Sequence, residues 1–215
     1  GSTIEQQYVK NFNLLVNAQT DAERQAAVAT TPTRKLREIR TALALSKALS
    51  KPEILTRYLN LIPFGNGAYG IQDAARTYFG IDAAGLNWQQ SALLAGLVQS
   101  TSSLNPYTNP RGALDRRNLV LDTMIENLPE HADELRAARE QPLGVLPQPN
   151  SLPQGCIAAG DRAFFCDYAL EYLAQAGISK EDVARNGYLI KTTLDPKVQS
   201  SVKQAINSVA APTLD

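Results

Sequence analysis

Apolar side chains recur at helical spacing along most of the chain, and the pattern is clearest in residues 34–60, RKLREIRTALALSKALSKPEILTRYLN. Leu36, Ile39 and Leu43 fall on one face of a helix, and Glu38 lies on a neighbouring face. The spacing therefore predicts an amphipathic helix over the first half of this stretch.

Capping residues predict where the helices of this stretch begin. Thr31 precedes Pro32, and a threonine cap followed by proline in the first turn is typical of a helix start. Ser50 and Glu53 have the spacing of a capping box, which predicts a second helix that ends near Asn60.

The charges around Glu38 single out the first of these helices. Arg34 lies four residues before Glu38 and Lys35 lies three before it, so a helix would hold the carboxylate between two cations. Taken alone, such pairs are surface ion pairs that contribute about 0–1 kcal/mol each.

The rest of the chain also favours helices. They are predicted over residues 21–27, 71–79, 87–99, 109–127, 129–140, 161–176, 179–186 and 195–209, with Leu93, Leu94 and Leu97 facing inward. Only Tyr188 to Thr193, YLIKTT, alternates like a strand. The predicted fold class is mainly α, with a small C-terminal α/β segment.

Two short segments have special composition. Residues 1–11 are mostly polar and, taken alone, favour a solvated terminus; on a helix, Gln6 and Gln7 would lie close to Lys10. Gly65, Gly67 and Gly70 predict a tight turn or a close approach of the backbone, but not a phosphate-binding loop.

Composition and charge narrow the class of protein. The chain has 215 residues, 44% of them hydrophobic, which is enough for one large or two small domains. The 21 basic and 21 acidic side chains balance, so no general nucleic-acid-binding surface is indicated. No apolar run has the length of a membrane span.

The two cysteines, Cys156 and Cys166, are too few for a four-ligand zinc site, and we predict no metal site. They are either two buried thiols or a disulfide, which needs an oxidising compartment. We expect the disulfide, which would contribute about 2–3 kcal/mol on a loop-entropy model. Four prolines in residues 141–155 predict an extended linker before the cysteine segment.

Four segments match one known family in order: GSTIEQQYVKN, RKLREIRTALALSKALSKPEILTRYLN, FGNGAYGIQDAARTYFG and LNWQQSALLAGLVQSTSSLNPYTNP. Together they resemble the glycosyltransferase family 51 (peptidoglycan transglycosylase) domain of class A, bifunctional penicillin-binding proteins. The tail, YLIKTTLDPKVQSSVKQAI, resembles the segment that leads to the transpeptidase domain of these proteins. The alanine-rich style and the cysteine segment resemble actinobacterial, in particular mycobacterial, members.

The resemblance implies a lysozyme-like helical domain that polymerises lipid II into glycan strands with inversion and releases undecaprenyl pyrophosphate. By similarity, Glu38 is the assisting catalytic glutamate. The residues expected to bind or line the donor site are Gln6, Gln7, Lys10, Asn11, Arg34 and Lys35. The implied domains are 1–140 (transglycosylase), 141–185 (linker and disulfide-bearing insert) and 186–215 (start of the linker toward a transpeptidase domain).

Two departures from the family pattern stand out. The principal catalytic glutamate of the family lies in an E-D-x-x-F-x-x-H-x-G motif before the GST segment, and these 215 residues do not contain it. We therefore expect a piece of a longer protein that is inactive alone and able to associate with itself. A basic residue that family members often carry shortly before the Arg-Lys pair is also missing, and the sequence leaves open whether Arg24 compensates for it.

The resemblance also implies where the protein works and what it needs. Its parent would act at the extracytoplasmic face of the cell membrane, anchored by an N-terminal helix outside this chain. No cofactor is required, although Mg²⁺ or Mn²⁺ could assist. The partners would be lipid II, the growing glycan chain and the membrane surface, not nucleic acid.

Two other functions fit parts of the sequence. A glycan-cleaving, lysozyme-like enzyme also places an essential glutamate in a helical domain, but two flanking cations suit binding better than proton donation. A non-catalytic module that binds a cell-wall partner would expose Phe164, Phe165 and Tyr168, whereas we expect these aromatic side chains to be core.

Overall fold

The computed structural model describes residues 2–150, 155–180, 182–183 and 188–210. The chain divides into two compact units, unit 1 (Gly1–Leu152) and unit 2 (Pro153–Asp215). Helices make up most of the described residues, so the mainly α fold class is confirmed. The three-part division predicted from the sequence stays a prediction.

Unit 1 is a succession of helices interrupted by one small β-hairpin. Its elements are α1 (Ile4–Phe12, continued as a π-helical turn at Asn13–Asn17), α2 (Asp21–Val28), α3 (Pro32–Ala48), α4 (Lys51–Leu61), β1 (Pro63–Gly65), β2 (Ala68–Tyr69), α5 (Ile71–Phe79), α6 (Trp88–Leu97), α7 (Pro110–Asn127) and α8 (Ala132–Arg139). Residues 4–11 are thus helical, and their interpretation as a solvated terminus is wrong, because α1 packs on α3 and α4.

The helix starts follow the caps expected from the sequence. The Thr31 hydroxyl accepts a hydrogen bond from the backbone N–H of Arg34, and Pro32 stands in the first turn of α3. Both hydrogen bonds of the capping box form between Ser50 and Glu53 at the start of α4. These interactions are local, which is why the sequence predicts them well.

The core of unit 1 surrounds α6, which is apolar on nearly every side. Leu93, Leu94 and Leu97 are buried, as predicted. One cluster of buried side chains joins α6 to α4, α5 and the hairpin, and a second joins it to α7 and α8. This helix therefore supports the two halves of unit 1 at once.

Three glycines shape the hairpin as the sequence predicts. Gly65, Gly67 and Gly70 all have positive φ, between 77° and 88°, where side chains other than glycine are strained. A Cβ at Gly70 would lie 2.9 Å from the Asn60 carbonyl oxygen, whereas a Cβ at Gly67 would meet nothing within 4 Å. The backbone is thus closely approached at Gly70, whereas Gly67 lies in an open turn.

A buried arginine fastens the end of α8 to α7. Arg117 is fully buried and donates to the backbone carbonyls of Arg139, Gln141 and Pro142 at 2.7–3.0 Å. Residues 142–150 form neither helix nor strand, which agrees with the prediction that the prolines exclude a helix, and the Leu146 N–H donates to the Tyr78 carbonyl at 2.8 Å. This part of the proline-rich linker therefore belongs to unit 1.

The buried face of α3 is not the face that Leu36 and Leu43 mark in the sequence. Glu38 and Ala42 are buried, while Leu36 and Leu43 are 67% and 61% exposed. Two of the three residues of the predicted apolar face therefore face solvent and Ile39 is half-buried, because α1 packs against the side of α3 that carries the carboxylate.

Unit 2 contains the disulfide expected from the sequence. Cys156, in a short 3₁₀ segment (Gly155–Arg162), is bonded to Cys166 in α9 (Ala163–Gln175). The last helix, α10 (Pro196–Ala210), contacts this segment through Gln199, whose side chain donates to the Asp161 carbonyl at 3.0 Å.

Two predictions for unit 2 are wrong. Tyr188–Thr193 is not a strand, because no neighbouring strand in the described residues completes a ladder with it. Phe164 and Tyr168 are 91% and 66% exposed and are not core, whereas Phe165 is half-buried. The helix predicted at 179–186 lies partly outside the described residues; Ser179 and Asp182 form its capping hydrogen bonds.

Candidate functional site

A large cleft of about 1170 Å³ opens in unit 1. Its walls come from α1, α3 and α4, from the hairpin, and from α6 and α7. All seven residues singled out in the sequence line it: Gln6, Gln7, Lys10 and Asn11 on α1, and Arg34, Lys35 and Glu38 on α3. The packing of α1 on α3 brings the two groups together.

The buried carboxylate of Glu38 faces a cation at each of its two oxygens. Arg34 Nη1 donates to Oε1, and Lys35 Nζ lies 3.8 Å from Oε2. The Glu38 side chain is only 4% exposed, against 20% for Arg34 and 38% for Lys35. The expected carboxylate between two cations is therefore present, with the cations on the side of solvent.

Further contacts orient the two cations. Arg34 Nε donates to the carbonyl of Ala29, the residue that directly follows α2. Lys35 Nζ donates to the hydroxyl of Ser2, which precedes α1. Each cation is thus held from outside α3 as well as by Glu38, so its position depends on the tertiary fold.

On α1, Gln7 is held from three sides. Its side-chain oxygen accepts from the Tyr58 hydroxyl at 3.0 Å, its amide donates to the Ser2 carbonyl, and its backbone carbonyl accepts from Asn11 Nδ2 at 2.9 Å. Burial raises the pKa of Tyr58, which keeps the hydroxyl a donor. Lys10 is exposed at the cleft and forms no ion pair with any residue the structure describes.

Several residues of the cleft have no signal in the sequence that marks them as site residues. Ser2, Tyr58 and Arg116 line it, together with the hydroxyl-bearing segment 100–102. Tyr58 is 51 residues from its partner Gln7, a distance at which no local pattern signals a contact. Arg24 does not replace the missing basic residue, because it lies outside the cleft lining and pairs with Asp21 at 2.7 Å.

The charges of the cleft suit an anionic ligand. Lys10, Arg34, Lys35 and Arg116 are set against one carboxylate, that of Glu38, among the residues that line it. Flexible cations at the edge of a concave site are the usual partners of phosphate and carboxylate groups.

The donor set of the cleft does not fit Mg²⁺ or Mn²⁺. Such ions prefer carboxylate, carbonyl and water oxygens, but both oxygens of Glu38 already face cations. Across the described parts of the chain, no group of three or more His, Cys, Asp or Glu side chains could hold a metal ion.

The structure defines a class of protein: a helical unit with a cationic cleft around a buried glutamate. The comparisons agree: residues 1–125 match the transglycosylase family, and the chain belongs to that family. The match covers α1 to α7, including every predicted residue of the cleft. The resemblance seen in the sequence and the fold class are therefore confirmed.

The relatives carry the names of penicillin-binding proteins. The chain is 36% identical to penicillin-binding protein 1A of Mycolicibacterium smegmatis over 96% of its own length and 25% of the relative's. It is 34% identical to penicillin-binding protein 1A of Mycobacterium tuberculosis over 96% of its length and 24% of the relative's. The chain thus spans about a quarter of each, and these relatives agree with the predicted actinobacterial affinity.

A solved structure is also similar. Penicillin-binding protein 1A of Haemophilus influenzae covers 77% of the chain, with 21% sequence identity and a TM-score of 0.40; the chain covers 20% of that protein. In the described residues, no helix is both long and apolar enough to cross a membrane.

Proposed function

We propose that this chain is part of a peptidoglycan glycosyltransferase that polymerises lipid II into glycan strands and releases undecaprenyl pyrophosphate. The observation that carries the proposal is the meeting of Lys10, Arg34 and Lys35 with buried Glu38 in one cleft of a transglycosylase-family domain. Such cations would stabilise the negative charge that grows on the leaving pyrophosphate.

Each side chain of the cleft has a proposed task. Lys10 and Lys35 bind the pyrophosphate, and Arg34 assists them from the first turn of α3. Glu38 holds Arg34 and Lys35 in place and orients the ligand. Gln6, Gln7 and Asn11 line the donor site, and the Tyr58 hydroxyl fixes the Gln7 amide.

A proton-donating role for Glu38, as in a glycan-cleaving enzyme, fits this geometry less well. One of its oxygens accepts a hydrogen bond from Arg34 and the other forms an ion pair with Lys35, an arrangement that suits a charged group which positions others. We propose that proton removal from the acceptor hydroxyl belongs to the family's other glutamate, whose motif these 215 residues lack. The chain alone should therefore bind the donor without turnover.

We place the working site at the extracytoplasmic face of the membrane, with lipid II, the growing glycan chain and the membrane surface as its partners. The disulfide of unit 2 supports this placement, because disulfides persist in oxidising compartments.

Binding of moenomycin, a phosphoglycolipid that mimics the donor, tests the proposal directly. Lys35→Ala and Glu38→Gln should each weaken binding to the chain by about tenfold or more, because each removes a charged partner of the anion-binding cluster. Isothermal titration calorimetry would give the dissociation constants.

Lys47→Ala is the matched control for Lys35→Ala. Lys47 lies on the same helix and is exposed, but it is not part of the cleft. It should bind moenomycin as the unmodified chain does. Equal affinities for all three variants and the unmodified chain would show that the cluster is an ordinary surface ion pair, and the assignment would fail.

One observation favours a second function, for unit 2. Phe164 and Tyr168 lie four residues apart on α9 and are exposed, as a module that binds a cell-wall partner would require. Replacing both by serine should weaken sedimentation of the chain with isolated peptidoglycan. Leu189→Ser, at an equally exposed position outside α9, is the control. Unchanged sedimentation of the double variant would remove this function.

A further inference from the structure

Arg116 is a cleft residue with a buried polar atom, Nε, that has no hydrogen-bond partner. Its side chain also forms no ion pair with any residue in the described part of the chain. Among the described residues, Tyr107 and His131 also have such a buried atom, but they do not line the cleft. Buried polar groups without a partner are uncommon in native proteins, and a ligand is one frequent reason.

The neighbouring arginine shows that this lack of partners is specific. Arg117 points to the other side of α7, where backbone carbonyls and the Asn118 side chain satisfy its guanidinium. Two consecutive arginines on one helix therefore have different surroundings. Arg117 stabilises the fold, whereas no described residue of unit 1 accepts a hydrogen bond from Arg116 Nε.

Close packing fixes the stem of Arg116. A Cβ placed on Gly96 of α6 would lie 3.1 Å from Arg116 Cγ, so the glycine makes room for this side chain between α6 and α7. Ser91 and Ala95 of α6 also line the cleft, and residues 100–102 add hydroxyl groups to its lining. The arginine is thus held in the wall of a cleft that contains further polar groups.

We propose that Arg116 is a second anion-binding residue of the cleft, on the α6–α7 wall and separate from the cluster on α1 and α3. It binds an oxyanion, a phosphate or a carboxylate, of a substrate that extends along the cleft. The proposal rests on the proposed function, because it assumes that the ligand of the cleft is a long molecule with more than one anionic group.

Two soluble probes distinguish the sources of the anion. Farnesyl diphosphate carries phosphates but no sugar or peptide, and the disaccharide pentapeptide of peptidoglycan carries carboxylates but no phosphate. Arg116→Gln should bind one of them about tenfold more weakly, which corresponds to about 1.4 kcal/mol. Weaker binding of the first identifies a phosphate, and weaker binding of the second a carboxylate.

Two further variants make the result specific. Arg111→Gln removes the same charge from an exposed position in the first turn of α7, outside the cleft, and should bind both probes normally. Gly96→Ala keeps Arg116 but displaces its stem by a few tenths of an ångström, and it should reproduce part of the loss. This second variant decides the matter if Arg116→Gln fails to fold, as judged by its thermal melting.

The proposal is overturned if the Arg116 and Gly96 variants bind both probes as the unmodified chain does, or if neither probe binds that chain. Failure of the proposed function gives a different result. In that case Lys35→Ala would also leave the affinity for farnesyl diphosphate unchanged, whereas failure of the Arg116 proposal alone leaves the effect of Lys35→Ala intact.

Discussion

At the scale of single residues, the surroundings of each charged group decide what it does. Glu38 is buried and relies on Arg34, whose guanidinium is mostly covered, more than on Lys35, whose ammonium is more exposed and farther away. Removing one partner of a buried charge costs more than the net contribution of the pair.

Arg34→Met should therefore lower the free energy of unfolding by about 2–3 kcal/mol, because the buried carboxylate loses its close partner. Lys35→Met should cost under about 1 kcal/mol, because solvent screens the longer contact. Urea denaturation followed by circular dichroism measures both. Equal losses would contradict the asymmetry described here.

Ionisation of Tyr78 should lower the free energy of unfolding at alkaline pH. Burial raises its pKa from 10 to about 12, and its hydroxyl donates to the Phe64 carbonyl at 2.8 Å. Since the folded state holds this proton more tightly than the unfolded state, the contribution is complete below pH 10 and is lost as the pH rises toward 12. The difference in pKa between the unfolded and folded states corresponds to about 2–3 kcal/mol of free energy of unfolding.

The advantage of the unmodified chain over Tyr78→Phe in free energy of unfolding should therefore shrink by about that amount between pH 10 and pH 12. Urea denaturation at several pH values measures the difference and cancels the contributions of the other tyrosines. A constant difference would show that the hydroxyl titrates equally in both states.

At the scale of elements, local sequence signals predicted where the helices form but not which face of each helix is buried. The caps at Thr31 and Ser50 depend on residues three positions away, so the sequence contains all the information they need. The buried face of α3 depends on α1, and the exposure of Phe164 on what packs on α9, so neither follows from periodicity.

The residues of the candidate site also divide into those that local sequence signals predict and those that depend on the tertiary fold. The pairing of Glu38 with Arg34 and Lys35 follows from one turn of helix, and the family resemblance located the residues of α1. The roles of Tyr58 and Arg116 could not be predicted. The first depends on a long-range contact, and the second depends on a rotation of about 100° between successive helical residues.

The hairpin offers a matched pair of glycines. Gly67→Ala should cost about 1 kcal/mol of stability, because the backbone has a positive φ but the space is open. Gly70→Ala should cost at least about 2 kcal/mol more, because its Cβ would also press on the Asn60 carbonyl. Thermal melting of both variants tests the difference. Similar melting temperatures would show that the loop moves aside.

At the scale of the whole molecule, a chain with no net charge has a cationic cleft. The attraction of an anion to this cleft is therefore local, and dissolved salt screens it. Raising the salt from about 50 mM to about 500 mM should weaken moenomycin binding by about tenfold. Lys35→Ala should show a smaller dependence on salt, whereas equal slopes would mean that this ammonium does not face the ligand.

The disulfide belongs to unit 2 alone, and the cleft belongs to unit 1 alone. Replacing Cys156 and Cys166 by serine should destabilise unit 2 by about 2–3 kcal/mol, because a short loop is no longer closed. Moenomycin binding should stay unchanged. Hydrogen exchange of α9 and calorimetry of the ligand would report the two effects separately, and weaker binding would contradict the independence of the cleft.

Burial of Glu38 on α3 has a further consequence for the history of the protein. The fold itself does not need a carboxylate there, since an aliphatic side chain would fill the same space and leave Arg34 free to turn toward water. Glu38→Leu should therefore make the protein more resistant to heat. In a descendant that is no longer selected for ligand binding, an aliphatic replacement should be fixed early. The residue at position 38 can therefore distinguish family members that bind the ligand from members that have lost this function.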